Sequence, residues 1–367
     1  MSYDFKQDLL RKFDWLLFLA PMLLGILGLM AIYSTDLSIG DVVFFNFKKQ
    51  LIAFILGVIV MFIFTILNFQ QLKNAKNILY FMGVIVLFLV LIIGQKLRGT
   101  TGWFILGPLS FQPIEIIKII LVIFLADYFS RQGRMLFALK DIFKSFIAGF
   151  ILIILVLKQP DLGSSIILFL IWLGMLMVSR IRKKHIAILF LLFSVIISVS
   201  WFFVLEPYQK DRILTFINPD LDPLRAGYNI KQSIIAVGSG GFFGKGLGFG
   251  SQSQLRFLPE AHTDFIFALI AEEMGFFMVI IILGLYGLFF WRILTLAKTS
   301  ESDFVSFVCI GFLIMFMAEM IINIGMNLGL MPVTGLALPF VSLGGSSLVS
   351  KFIAVGILQS IKIRTQY

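Results

Sequence analysis

Residues Ile78–Gly94 read ILYFMGVIVLFLVLIIG, an apolar run without one charged side chain. A buried strand takes only about 4–8 such residues. A run this long reads as a membrane-spanning helix, which needs roughly 20 predominantly apolar residues. Comparable blocks occupy Trp15–Tyr33, Leu51–Leu67, Pro113–Phe129, Phe143–Leu157, Ser164–Val178, His185–Leu205, Asp264–Trp291, Phe304–Leu330 and Phe340–Ile361. The pattern predicts an all-α polytopic membrane protein with ten transmembrane helices, one integral-membrane domain over 1–367. The first block is too long for a cleaved signal peptide, and no A-x-A site follows it.

Composition agrees. Of 367 residues, 59% are apolar and 14% charged, against about 45–50% and about 25% in soluble domains. Disorder is excluded, because it needs low hydrophobicity. The single cysteine, Cys309, permits no intramolecular disulfide, and reads as a small buried apolar residue. Two histidines, His185 and His262, cannot build a His-rich zinc or haem site.

Orientation follows from Lys and Arg in the short loops. With the N-terminus inside, the inner segments hold 17 of them, and the outer loops hold Lys48, Lys49, Lys96, Arg98 and Lys158. Both termini are therefore expected in the cytoplasm. The net charge of +10 is mainly a topology signal, with anionic-lipid contact as a second gain. It gives no reason to invoke nucleic acid.

One connection is long. Residues 206–263, between the seventh and eighth blocks, lie outside in this topology and hold six Lys/Arg and five Asp/Glu. Loops of that length without a function are uncommon. Asn229–Val237 is apolar enough for a short helix. The run GSGGFFGKGLGFG (Gly238–Gly250) fails the P-loop spacing, since five residues before Gly244 stands Ser239 and Lys245 is followed by Gly246. It also fails the dinucleotide fingerprint at Phe243. It reads as a tight backbone crossing between helices.

Charges at membrane depth are costly and are usually functional or paired. Glu115 and Lys118 share one helix face near the outer end. A lysine facing an anionic headgroup favours a substrate contact over a self-neutralising pair. Asp264 follows the long loop in Pro259-Glu260-Ala261-His262-Thr263-Asp264-Phe265. It suits a helix N-cap, but a carboxylate at the mouth of an apolar bundle behind a glycine-rich lid favours function. Glu272 lies about 80° around the helix from Asp264 and is expected to share its cavity, while Glu273 faces away. Glu319 and Lys351 sit at similar depth on two helices and are expected to form a structural ion pair. Gln159-Pro160-Asp161-Leu162-Gly163 reads as a turn with an N-capping Asp161.

Several stretches together resemble the SEDS family of bacterial cell-wall proteins. They are FQPIEIIKI (Phe111–Ile119), QPDLG (Gln159–Gly163), RILTFINPDLDPLRAGYNIKQS (Arg212–Ser233), IAVGSGGFFGKGLGFGSQSQLRFLPEAHTDFIFALIAEEMG (Ile235–Gly275) and NIGMNLGLMPVTGLALPFVSLGGSS (Asn323–Ser347). The likeness covers nearly the whole chain, and NPDLDP with the short N-terminus is closest to the RodA-type elongation branch. The resemblance implies a ten-helix, GT-C-like peptidoglycan glycosyltransferase that polymerises lipid II on the outer face of the bacterial cytoplasmic membrane. It implies a class B penicillin-binding protein and other elongation-complex membrane proteins as partners, and Mg²⁺ or Mn²⁺ as cofactor. It places the catalytic carboxylate at Asp264. Lys118, Arg98 and Arg212 become candidates for holding the pyrophosphate, Asp161 for organising the site, and Glu115, His262 and Glu272 for further substrate contacts. Two departures stand out. Gly102 precedes Trp103 where the family usually has arginine, with Arg98 four residues before Gly102, and Glu319 and Lys351 fall where less charged residues are expected.

Two other readings share these features: a lipid II flippase and a non-catalytic scaffold for the partner transpeptidase. A flippase needs polar residues at the bilayer midplane, whereas the candidate residues here cluster at the outer end.

Overall fold

The computed structural model describes residues 11–365, apart from 40–43, 98–99, 107–108, 132–138, 180, 183, 189–190, 192–201, 203–206, 219, 221, 223–225, 256 and 259. Among the described residues, six helices are long and apolar enough to cross a membrane. They are α1 (Trp15–Ile39), α2 (Phe45–Ile66), α3 (Phe69–Ile93), α10 (Ile266–Thr299), α11 (Asp303–Asn327) and α12 (Gly345–Arg364). Between them come α4 (Ile114–Ser130), α5 (Leu139–Leu157) and α6 (Leu162–Val178), then α7 (Pro207–Ile217), α8 (Ala226–Ser239) and the single turn α9 (Ser251–Gln254). The seventh expected span, His185–Leu205, falls largely outside the described residues.

Large apolar side chains cover the outward faces of α2 and α3. Ile52, Ile78, Phe81 and Ile92 are each about two-thirds exposed. A water-soluble surface does not carry such a band, whereas hydrocarbon solvates it. The core runs through α4, α6, α10, α11 and α12, where Trp172, Phe289, Phe312, Phe316 and Phe352 are buried. Small residues bring α2 and α12 together. A Cβ on Gly356 would stand 2.5 Å from Met61 O, and one on Gly57 would stand 2.5 Å from the Phe352 ring. Close approach of this kind is how helices associate where no hydrophobic driving force separates them from lipid.

Two features depart from the all-α expectation. The segment after α3 forms a three-stranded antiparallel sheet of β1 (Gln95–Leu97), β2 (Thr100–Leu106) and β3 (Leu109–Phe111). Gln95 pairs with Trp103, and Phe104 with Phe111. The second departure is a break in α10 at Gly275, where φ is 76° and ψ is −179°. Broken backbone at membrane depth must find new partners, and the glycine-rich run supplies them. Lys245 N and Gly246 N donate to the carbonyls of Glu272 and Glu273 at 3.0 and 2.9 Å, while Phe276 N and Phe277 N donate to Gly241 O and Phe242 O, both at 3.0 Å.

The tight backbone crossing read from Gly238–Gly250 is therefore present, and it explains the glycines. A Cβ on Gly240 would lie 1.9 Å from Ala271 O, and one on Gly275 would lie 2.2 Å from Gly244 N. Gly275→Ala combines this overlap with a left-handed φ. It is expected to cost roughly 3 kcal/mol or more and to expose the glycine-rich loop to limited proteolysis. Wild-type protease resistance in this variant would show that the crossing is not tight.

Candidate active site

Asp264 lies in the turn Glu260–Phe265 just before α10 and is half-buried. The turn is fixed through its backbone by two other parts of the chain. Leu343 N donates to His262 O at 2.9 Å, and Ser342 Oγ donates to Thr263 O at 2.7 Å. Asn323 Nδ2 and Asn327 Nδ2, one turn apart on α11, both donate to Asp264 O, at 3.1 and 2.9 Å. Asn327 Oδ1 also accepts from Ala268 N at 3.1 Å, which ties the first turn of α10 to the same side chain. Three successive carbonyls are thus held from outside the turn, which fixes the backbone from which the Asp264 side chain projects. A Cβ on Gly335 would stand 3.7 Å from Asp264 Oδ2, so the absent side chain keeps that approach open.

Asp161 caps α6. Its Oδ1 accepts from Ser164 N at 2.9 Å, and its Oδ2 accepts from Ser164 Oγ at 2.8 Å and from Gln112 Nε2 at 3.2 Å. Burial pushes its carboxyl above the usual range, against the Ser164 hydrogen bonds and the nearby Lys118 charge. The capped end of α6 packs close to the Gly335 segment, since a Cβ on Gly163 would stand 2.8 Å from Thr334 O. Asp161 therefore caps the helix end that packs against the segment carrying Gly335, whose Cα faces Asp264.

Glu115 and Lys118 were expected to face substrate, but they are enclosed. Lys118 Nζ bonds Glu115 Oε1 at 2.8 Å and Glu319 Oε1 at 2.7 Å. Lys351 Nζ bonds Glu115 Oε2 at 2.9 Å and Glu319 Oε1 at 2.7 Å. All four are buried, with Lys118 only 1% exposed. The Glu319–Lys351 contact expected from depth is there, but it is one side of a neutral four-membered ring on α4, α11 and α12. An isolated charge at this depth would be costly, which is why Glu115 and Lys118 turn inward.

Glu272 also differs from expectation. Its Oε1 accepts from Lys245 Nζ at 2.8 Å, Gln252 N at 3.0 Å and Ser251 Oγ at 3.2 Å. It anchors the glycine-rich loop rather than lining a cavity with Asp264. Glu273 holds the next part of that loop, accepting from Gln254 Nε2 at 3.2 Å. Arg212 lies on α7, and Arg98 lies outside the described residues. Gly102 is buried where β2 crosses the Gln159 turn, with Thr101 N donating to Gln159 O at 3.2 Å.

A partly exposed carboxylate on a backbone held just before α10 suits proton abstraction. Comparison with known proteins identifies the setting. The family model for FtsW, RodA and SpoVE, described as a cell cycle protein, matches residues 14–367. The chain belongs to the FtsW/RodA/SpoVE family. It is 37% identical to the peptidoglycan glycosyltransferase MrdB of Escherichia coli K12, over 94% of this chain and 93% of the relative. It is 34% identical to the probable peptidoglycan glycosyltransferase FtsW of Thiomicrospira cyclica, over 100% of this chain and 95% of that one. Among solved structures, a chain described under "Structural coordination of polymerization and crosslinking by a peptidoglycan synthase complex" superposes with a TM-score of 0.82 at 30% identity, covering 95% of this chain and 97% of that one. RodA of Thermus thermophilus superposes with a TM-score of 0.72 at 28% identity, covering 97% and 98%.

Within this FtsW/RodA/SpoVE chain, sequence reasoning missed Asn323 and Asn327 as holders of Asp264. Their signal was present as two amides one turn apart in an otherwise apolar helix, where polar groups rarely stand without a partner.

Proposed function

We propose that this chain is a peptidoglycan glycosyltransferase that polymerises lipid II, with Asp264 as the general base. One observation carries the assignment of the base. Glu115, Asp161, Glu272 and Glu319 are all buried, whereas Asp264 is partly exposed and stands just before α10 on a backbone held at three successive carbonyls.

The reaction needs one carboxylate. Asp264 takes the proton of the acceptor sugar's 4-hydroxyl as that oxygen bonds to the donor anomeric carbon. The bond from that carbon to the lipid pyrophosphate breaks, and the pyrophosphate leaves with the electron pair. A pyrophosphate departs without protonation when cations hold it, unlike the leaving group of a glycosidase, which draws on a second carboxyl group. We assign that holding to Arg212 and Arg98, and Lys118 leaves the set because it is enclosed. One displacement inverts an α-linked donor to a β-1,4 product. Among the described residues, no three His, Cys, Asp or Glu side chains gather to hold a metal. A Mg²⁺ or Mn²⁺ ion would therefore be held mainly by the pyrophosphate itself and would add positive charge at the leaving group.

We place the protein in the bacterial cytoplasmic membrane with ten spans, both termini inside and residues 206–263 outside, on the Lys/Arg bias. The partner is a class B penicillin-binding protein. The solved neighbour from a peptidoglycan synthase complex supports this pairing. NPDLDP within Asn218–Pro223 supports the elongation branch.

The test uses the purified chain with its class B partner, whose transpeptidase is blocked by a β-lactam. Glycan strands on a gel, without transbilayer movement of lipid II in vesicles, support the polymerase. Movement without strands supports a flippase, and neither supports a scaffold. Asn327→Ala is expected to lower the polymerisation rate roughly 10- to 100-fold through misplacement of Asp264, with the KM for lipid II little changed. A kcat within twofold of wild type, in the initial rate of strand formation, would remove the positioning role.

A further inference from the structure

Gln50 of α2 is buried, at 2% exposure. It directs both ends of its amide at one short stretch far along the chain. Its Nε2 donates to Ser342 O at 3.0 Å, and its Oε1 accepts from Gly344 N at 3.1 Å. The two bonds straddle Leu343. From inside that bracket, Leu343 N donates to His262 O at 2.9 Å and Ser342 Oγ donates to Thr263 O at 2.7 Å. One side chain on α2 thus brackets the two residues that hold the carbonyls immediately before Asp264.

The bracketed stretch is not relaxed backbone. Phe340, two residues before Ser342, has a φ of 65°, a left-handed conformation that bulky residues avoid. Such backbone persists only where its surroundings over-determine it, and it gathers at functional sites. The Phe340 ring sits among Phe289, Phe316 and Phe352, with centroids 5.6, 5.5 and 5.6 Å away. A Cβ on Gly28 of α1 would stand 2.3 Å from Val341 O, so α1 passes directly beside the same stretch. These contacts fix residues 340 and 341. The bonds from Gln50 fall on 342 and 344, where the stretch meets the Asp264 turn.

Joining α2 to α12 does not call for this amide. Those helices already meet through Gly57 and Gly356, where close packing brings them together. A polar side chain in a spanning helix is expensive unless it is fully partnered, and here both partners belong to the support of one carboxylate. We propose that Gln50 is a positioning residue for glycosyl transfer, acting through Ser342 and Leu343 on the turn that carries Asp264. The proposal rests on Asp264 being the general base.

The test compares the full chain, with its class B partner, as wild type, Gln50→Met and Gln50→Asn. Methionine keeps the length of the side chain and loses both bonds, while asparagine is a methylene too short to keep both. Initial rates of strand formation over a range of lipid II concentrations give kcat and KM. Amide hydrogen exchange without substrate follows residues 260–265 and 338–345. Gln50→Met is expected to lower kcat roughly 10-fold and Gln50→Asn roughly threefold, with KM within twofold and faster exchange in both segments. Adding Ser342→Ala to Gln50→Met is expected to cost less than the product of the two single losses, since both act through one stretch, whereas general destabilisation would multiply them. A kcat within twofold of wild type in both Gln50 variants, or a loss confined to KM, would overturn the positioning role. Unchanged exchange in residues 260–265 would overturn the bracket, whatever the chain catalyses. If wild type makes no strands, the polymerase reading fails and the catalytic role of Gln50 with it, and the exchange data still decide whether the bracket exists.

Discussion

Leucine at Lys351 alone, or at Glu319 alone, is expected to lower stability by about 3–5 kcal/mol, the cost of stranding a buried charge. The double replacement is expected to recover most of that loss. The reason lies in the ring, where each lysine touches both glutamates. Removing Glu319 and Lys351 together leaves Glu115 and Lys118 bonded at 2.8 Å and the cluster neutral. Removing Glu319 with Lys118 leaves Glu115 and Lys351 at 2.9 Å, so this second combination should recover equally. Removing both glutamates leaves two lysines side by side and should cost more than the two single changes added. Unfolding midpoints in detergent across these cycles decide the matter. Strict additivity of Glu319→Leu and Lys351→Leu would mean that the ring does not act as a unit.

The ring also marks where sequence reading reached its limit. Depth along a helix can be counted from residue numbers, so Glu319 and Lys351 were legible as partners. Rotation within the bundle cannot be counted, so their union with Glu115 and Lys118 was not. Glu272 fails for a related reason. An angle of 100° per residue holds only along one unbroken helix, whereas Asp264 sits in a turn before the helix begins at Ile266. Hydropathy sees membrane thickness rather than helix length, so α3 begins at Phe69, well before the apolar block at Ile78. The small sheet was hidden because two of its strands have three residues each, too short for alternation to register. The glycine-rich crossing was legible because its spacing failed the P-loop and dinucleotide patterns, which left a close backbone approach as the better reading.

Asp264→Asn is expected to remove glycan polymerisation almost entirely. A positioned general base contributes roughly 10²- to 10⁴-fold, and the amide cannot accept the acceptor's proton. The change should leave the fold intact. The two asparagine amides hold the backbone carbonyl of residue 264, not its side chain, and asparagine keeps the size and shape of aspartate. Lipid II binding should therefore persist, with the loss falling on kcat rather than KM. Asp264→Glu keeps the charge but moves it by one methylene toward the space left by Gly335. It should retain partial activity, between wild type and the asparagine variant.

The most direct measurement compares wild type with Asp264→Asn, each purified with its class B partner and supplied with lipid II, a divalent cation and a β-lactam. Strand formation is followed on a gel, and lipid II binding is measured on the same samples. Strands from wild type, none from the variant and equal binding by both are the expected results. Strands from both at similar rates would contradict the assignment of Asp264 as the base and would move the chemistry to another carboxylate.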